Sequence, residues 1–123
     1  MKIIKPYFNF DDERGHIKGL INQGSWEEIN YVFSKKGTIR ANHYHKNLKE
    51  LFIILEGIIN IHFFNIKTPD QIEIKTAKKG DVFLFEKEIF HRFEVMEDSI
   101  WLNVLSQKID PNNPDIHTFE GHI

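Results

Sequence analysis

The chain has 123 residues, of which 41% are hydrophobic, and this predicts one compact domain with its own core. A formal charge of −2 at pH 7, with basic residues scattered along the chain, excludes an obvious nucleic-acid interface or polybasic membrane patch and favours a small-molecule partner. Because cysteine is absent, disulfides and thiolate metal sites are excluded, and any metal must bind nitrogen and oxygen ligands.

The N-terminal residues 1–6 are too few and too charged for a signal peptide, and no apolar run exceeds the length of a strand, so we expect a cytoplasmic protein. Short strand-like runs follow, separated by Gly, Pro and Asp turn signals. These runs are Glu28 to Ser34, Thr38 to His45, Glu50 to Leu55, Ile58 to Phe64, Gln71 to Lys75, Asp81 to Phe85, His91 to Val95 and Ile100 to Ser106. They predict an all-β barrel or sandwich over residues 1–123 without a strong helix, and residues 110–115 are expected to form an arm or a loop.

Two of the predicted strands, Leu51 to Leu55 and Ile58 to Phe64, are apolar on both faces, although a lone barrel with a wet exterior should alternate more cleanly. Something else must therefore cover the outer face. Because symmetric dimers are the commonest closed assembly, we expect a homodimer formed by sheet-on-sheet packing, with or without exchange of the N-terminal segment.

Two histidines and a carboxylate in close spacing indicate a metal site. His43 and His45 lie two residues apart, so they project from the same face of a strand, and Glu50 opens the run that pairs beside them. His91, which follows a later turn, is the expected fourth ligand. Three imidazoles and a carboxylate in one buried site favour a divalent cation, and the alternative is a hydrogen-bonded polar cluster without metal.

The same residues resemble the two cupin motifs. The stretch Gly37 to Gly57 is similar to the first motif, and Gly80 to His91 is similar to the second, although Glu86 replaces the usual proline and the usual asparagine after His91 is missing. This resemblance implies a jelly-roll barrel in which His43, His45, Glu50 and His91 bind one divalent ion. The ligand types allow zinc, manganese, iron, nickel or copper, and six-coordination would leave two positions open.

A second resemblance narrows the activity. The segments Phe10 to Gly15 and Arg40 to Tyr44 resemble the D-x-R-G and R-x-x-H-Y patterns of deoxysugar 3,5-epimerases. The stretch Ser106 to Pro114 resembles small cupins of polysaccharide biosynthesis, including the zinc-holding C-terminal cupin of capsular-polysaccharide epimerase/reductases. These resemblances imply an isomerase-class enzyme acting on a nucleotide-linked keto sugar.

Such chemistry requires a base that removes a proton beside a carbonyl and a cation that stabilises the enolate oxygen. Arg40, Lys46 and Lys49 are candidate cations, and the planar guanidinium of Arg40 also suits a diphosphate. His43, the base in metal-free relatives, is assigned here to the metal, since a ligating lone pair cannot accept a proton. Candidate bases are therefore Tyr31, Tyr44, Lys46 or a metal-bound water.

Two other functions remain open from the sequence. A metal-dependent iron dioxygenase would use the two vacant coordination positions, and a non-catalytic sugar- or small-ligand-binding cupin would bind without turnover. The remaining histidines are expected to be surface or hydrogen-bonded residues rather than ligands; these are His16, His62, His117 and His122.

Overall fold

The computed structural model describes residues 1–120, which form strands joined by turns and loops. The strands are β1 (Lys2–Ile3), β2 (Phe8–Asp12), β3 (Gly15–Gly19), β4 (Glu28–Ser34), β5 (Ile39–His43), β6 (Glu50–Glu56), β7 (Ile58–Asn65), β8 (Glu73–Lys78), β9 (Val82–Phe85), β10 (Ile89–Val95) and β11 (Ser99–Leu105). Within this part of the chain no helix is long and apolar enough to cross a membrane.

The all-β prediction is confirmed, and each of the eight predicted runs forms a strand whose ends differ from the predicted ones by at most three residues. The β-branched and aromatic residues that fill these runs pack well on a pleated surface. The sequence interpretation missed β1, β2 and β3. Strands β2 and β3 form a separate hairpin whose residues are mostly exposed, so they lack the buried periodicity by which strands are recognised.

Two antiparallel sheets form the body of the fold. One has five strands in the order β1-β9-β6-β11-β4, and the other has four in the order β5-β10-β7-β8. Both sheets contribute to a shared apolar core, which is made of Phe52, Ile54, Ile59, Ile61, Phe63, Ala77, Phe83, Phe85, Phe93, Val95 and Trp101. The aromatic rings in this core contact one another edge-to-face, as in the pairs Phe52–Phe93 and Phe93–Trp101.

A second apolar cluster lies on the outer face of the five-stranded sheet. Leu51, Ile53 and Val104 are buried there beneath the N-terminal segment, which contributes Leu20 and Trp26 among other side chains. This explains why β6 has no polar face. The outer cover expected from the sequence is therefore supplied in part by the N-terminal segment of the chain itself.

A bulge in β5 sets the direction of the site residues. His43 pairs with His91 in the β5–β10 ladder, Ala41 pairs with Arg92, and the register shifts between these two pairs. Ala41 and Asn42 have left-handed backbone angles, φ 62° and 66°, which non-glycine residues adopt at a cost of roughly 1–2 kcal/mol each. The bulge changes the alternation of side chains along β5, so its two ends no longer follow the parity of an ideal strand.

Candidate metal centre

The structure brings His43, His45, Glu50 and His91 together. His43 ends β5, His45 follows it, Glu50 begins β6 and His91 lies on β10. One potential ligand atom from each residue lies within 4.8 Å of those from the other three. Since nitrogen and oxygen ligands lie about 2.0–2.2 Å from a zinc ion, this spacing fits one shared cation after small side-chain adjustments.

Two of these residues, His43 and Glu50, line the barrel mouth, a cavity of about 180 Å³ that opens between the two sheets. Glu50 is 6% exposed and His91 is fully buried. The residues that line the mouth are Val32, Arg40, Ala41, His43, Glu50, Phe52, Phe93, Trp101 and Asn103. A larger cavity of about 570 Å³ lies under the N-terminal segment beside Trp26 and Lys49, but it contains none of the clustered ligands. The mouth is therefore the site where chemistry is expected.

Backbone carbonyls hold two of the imidazoles in the orientation that a metal ligand needs. Nδ1 of His45 donates to the carbonyl oxygen of Asp115 at 2.5 Å, and Nδ1 of His91 donates to that of Ile89 at 3.0 Å. Both rings consequently turn Nε2 towards Glu50. Metal-binding histidines usually donate the N–H of their other ring nitrogen in this way, because it fixes the tautomer that leaves a lone pair for the cation.

Glu50 lies at the centre of the cluster. Its Oε1 contacts Nε2 of His45 and lies 3.0 Å from Nε2 of His91, and its Oε2 accepts a hydrogen bond of 2.7 Å from Nδ2 of Asn103. Burial raises the pKa of Glu50, but the two neighbouring imidazoles outweigh it and hold the pKa well below its usual value. The carboxylate is therefore negative and needs a positive partner.

His43 and His45, which lie two residues apart, differ in their proton affinity. Burial, followed by the neighbouring His91, lowers the pKa of His43 to about 3. Burial also lowers the pKa of His45, but the hydrogen bond and charge of Glu50 outweigh it, so that this pKa is raised. In the metal-free protein a proton on His45 would therefore compensate the charge of Glu50, and a divalent cation at the same place would displace it.

The donor set fits a divalent cation. Nε2 of His91 lies 3.0 Å from Oε1 of Glu50 but makes no hydrogen bond of good geometry, which is costly for a buried polar atom unless that atom has another use. His43 is neutral at physiological pH and offers a further lone pair. Imidazole nitrogens with one carboxylate oxygen suit zinc, manganese, iron or nickel, and these four residues are the ones that would hold the ion.

The three predicted catalytic residues are placed differently. Arg40 lines the mouth, where Nε donates to Oγ of Ser34 at 2.8 Å and a terminal nitrogen donates to the carbonyl of Phe33 at 3.1 Å. Tyr31 is 65% exposed on the outer face of β4, because its neighbours along the strand face inward. Lys46 is exposed on the loop after His45. Neither Tyr31 nor Lys46 lines the mouth of its own chain, so the catalytic role expected for them stays a prediction.

Two residues of the site were missed in the sequence. Asn103 orients Glu50, and its signal is one polar residue in the middle of the apolar run of β11. Asp115, whose backbone carbonyl accepts the hydrogen bond from Nδ1 of His45, lies in the irregular C-terminal region and gives no periodic signal. Of the other histidines, His62 pairs with Glu94 and His117 pairs with Asp115, as expected for hydrogen-bonded residues, and His122 lies outside the described residues.

The chain is similar to one known sequence family and to several curated proteins. A sequence family described as the polysaccharide biosynthesis C-terminal domain matches residues 10–116. The chain belongs to this family. Among curated proteins, the putative germin-like protein 8-1 of Oryza sativa subsp. japonica is 32% identical over 81 residues, which are 66% of this chain and 36% of that protein. Germin-like protein subfamily 2 member 4 of Arabidopsis thaliana is 34% identical over 76 residues, or 61% and 32% of the two chains. The chain thus spans about a third of these relatives.

Solved structures share the same barrel. The capsular polysaccharide assembling protein CapF of Staphylococcus aureus is 24% identical with a TM-score of 0.72 over 92% of this chain and 34% of its own. The TDP-quinovose 3,4-ketoisomerase WlaRB of Campylobacter jejuni is 19% identical with a TM-score of 0.79 over 96% and 92% of the two chains. A variant of the 3,4-ketoisomerase QdtA of Thermoanaerobacterium thermosaccharolyticum, in complex with TDP-4-keto-6-deoxyglucose, is 19% identical with a TM-score of 0.70 over 90% and 83%. The predicted cupin fold is confirmed, and identities this low establish the fold alone.

The depressed pKa of His43 predicts a pH dependence of stability in the metal-free protein. Between pH 6.5 and 3 the unfolded chain binds a proton at His43 that the folded chain does not, so stability falls as the pH falls. From pH 7 to pH 5 this loss is about 2 kcal/mol. In chemical denaturation with a chelator present, the free energy of unfolding of His43→Gln should fall by about 2 kcal/mol less than that of the parent between pH 7 and pH 5. An equal fall in the two proteins would contradict a buried neutral imidazole at His43.

Proposed function

We propose that this protein is a metal-binding enzyme of the isomerase class that epimerises or isomerises a nucleotide-linked keto deoxysugar in surface-polysaccharide biosynthesis. The observation that carries the proposal is the convergence of His43, His45, Glu50 and His91 in a member of the polysaccharide biosynthesis family, with His43 and Glu50 lining an open barrel mouth. The ketoisomerases that share the barrel over most of their length support the choice of substrate class.

A divalent ion at this site would supply a Lewis acid that polarises a carbonyl oxygen of the substrate. Arg40 supplies a second positive charge at the mouth. Its two bonds to Ser34 and Phe33 fix the guanidinium and use only part of its five N–H donors. The remaining donors suit an enolate oxygen or a diphosphate, both of which are anionic.

The side chains that surround the mouth also favour a second candidate function. Among the residues that line it, the titratable ones are Arg40, His43 and Glu50. A base with a pKa near 3, as at His43, accepts protons poorly at neutral pH, and Glu50 is already committed to the imidazoles. A cupin that binds a sugar nucleotide without turnover is therefore the alternative that this geometry supports.

Proton exchange separates the two functions. We expect the metal-loaded protein, incubated with TDP-4-keto-6-deoxyglucose in deuterated water, to exchange a carbon-bound proton next to the ketone, as followed by proton NMR. Arg40→Gln should slow the exchange on the order of 100-fold, because it removes a charge that stabilises the enolate, and should keep the same metal content. His16→Ala, in the β2–β3 hairpin, is the control and should exchange at the parent rate.

Saturable binding of this sugar nucleotide without exchange at any ring position would overturn the enzymatic proposal in favour of the binding protein. Exchange that is equally fast in Arg40→Gln would contradict the role given to Arg40 but not the reaction itself.

We also propose that the protein forms a homodimer through the β4 face, defined here as Ile29, Tyr31 and Phe33. These side chains are 67%, 65% and 47% exposed on a strand at the edge of the five-stranded sheet. An apolar edge strand left open to water invites pairing and aggregation. The same chain presents a second exposed apolar surface on the hairpin, at Phe10 and Ile17, so a second copy offers a matching partner.

Two isoleucines of similar exposure allow a matched test. Ile29 lies on the β4 face, whereas Ile74, 61% exposed, lies on β8 of the other sheet. In sedimentation velocity the parent and Ile74→Glu should have twice the chain mass of 14.6 kDa. The dimer of Ile29→Glu should have a dissociation constant at least about ten-fold higher than that of the parent dimer. A monomeric parent, or equal dissociation of the two variants, would rule out this interface.

A further inference from the structure

The C-terminal segment Asp115–Phe119, called the strap, runs beside the metal ligand His45. It is joined to the strand end by two backbone hydrogen bonds, from the N–H of Tyr44 to the carbonyl of His117 at 2.9 Å and from the N–H of His117 to the carbonyl of Tyr44 at 3.0 Å. At its far end the ring of Phe119 packs edge-to-face on Phe64, with ring centroids 5.3 Å apart. The strap is thus fixed at several points along its length.

Asp115 contacts both sides of His45. Its backbone carbonyl accepts the hydrogen bond from Nδ1 of His45. Its carboxylate accepts hydrogen bonds from the backbone N–H groups of the three residues that follow His45. These are Lys46 at 2.8 Å, Asn47 at 2.6 Å and Leu48 at 2.9 Å. One residue therefore holds the imidazole through its main chain and the loop after that imidazole through its side chain.

The carboxylate of Asp115 is well adapted to this task. Burial raises its pKa, but the three backbone N–H donors and the neighbouring His117 outweigh burial and keep the pKa below its usual value. Nε2 of His117 lies 2.9 Å from Oδ1 of the same carboxylate. A charged acceptor makes stronger hydrogen bonds than a neutral one, so the loop is held more firmly than a single neutral contact would allow.

We propose that Asp115 is a positioning residue for metal binding, which fixes the tautomer and direction of His45 so that Nε2 stays free for the cation. The inference rests on the metal site of the proposed function. Without the carboxylate, the strap and the 46–48 loop lose their common anchor, and the carbonyl no longer stays in line with Nδ1. The imidazole can then turn or change tautomer, and both weaken a metal ligand.

The test compares two aspartates of the same tail. Asp110 is the control, because its Oδ1 accepts only a local hydrogen bond from the N–H of Asn112 among the contacts described for its side chain. Zinc dissociation constants are measured by chelator competition, and cobalt-loaded proteins are compared by visible absorption. Asp115→Ala should raise the zinc dissociation constant roughly 10- to 100-fold and alter the cobalt spectrum, whereas Asp110→Ala should change neither.

A purely structural role would give a different pattern. If Asp115→Ala lowers the melting temperature of the metal-free protein but leaves the zinc dissociation constant and the cobalt spectrum unchanged, the positioning role is overturned. Should that variant fail to fold, Asp115→Asn, which keeps the shape and one acceptor oxygen, should bind zinc with intermediate affinity, and parent affinity would overturn the proposal. A parent that binds neither zinc nor cobalt overturns the metal site and this inference together.

Discussion

A single buried carboxylate oxygen, Oε1 of Glu50, contacts Nε2 of both His45 and His91, and the arrangement of the rest of the site depends on this contact. A carboxylate so far removed from water must be compensated, because an unpaired buried charge costs several kcal/mol. The surrounding atoms are arranged for a cation: Asn103 holds the other oxygen, and two backbone carbonyls hold the far side of the imidazoles. A proton on His45 would satisfy this arrangement in the metal-free protein, and a divalent ion would satisfy it with more ligands.

The fold supplies this contact by joining elements that are distant in sequence. The antiparallel ladder sets His91 opposite His43, and the bulge at Ala41 and Asn42 lets Arg40 face the same mouth as His43. The strained backbone of the bulge lies next to the ligands, where strain is commonly retained for function. Core aromatic side chains pack behind the site, and the ring of Phe85 stacks on His91 with centroids 4.5 Å apart, which limits how far that imidazole can turn.

The set of candidate ligands was predictable from the local sequence pattern, whereas the bulge, the β2–β3 hairpin and the contact of Asp115 were not. The period-two spacing of His43 and His45 and the motif resemblance were enough to group them with Glu50 and His91, because strands fix which side chains share a face. Strand parity alone could not place Arg40 relative to His43, because the bulge at Ala41 and Asn42 interrupts the alternation of β5. The polar β2–β3 hairpin and the contact of Asp115 with His45 were also hidden, because exposed strands and irregular segments carry no periodic signal.

The most direct measurement is elemental analysis of the protein purified without chelator, for the parent, His91→Ala and His62→Ala. His62 lies on β7 next to Arg92 and pairs with Glu94 instead of the ligand cluster, so its variant controls for loss of a partly buried histidine. One divalent ion per chain is expected in the parent and in His62→Ala, with a large loss in His91→Ala. A parent without metal, or equal metal content in His91→Ala and the parent, would contradict a shared ion at this site.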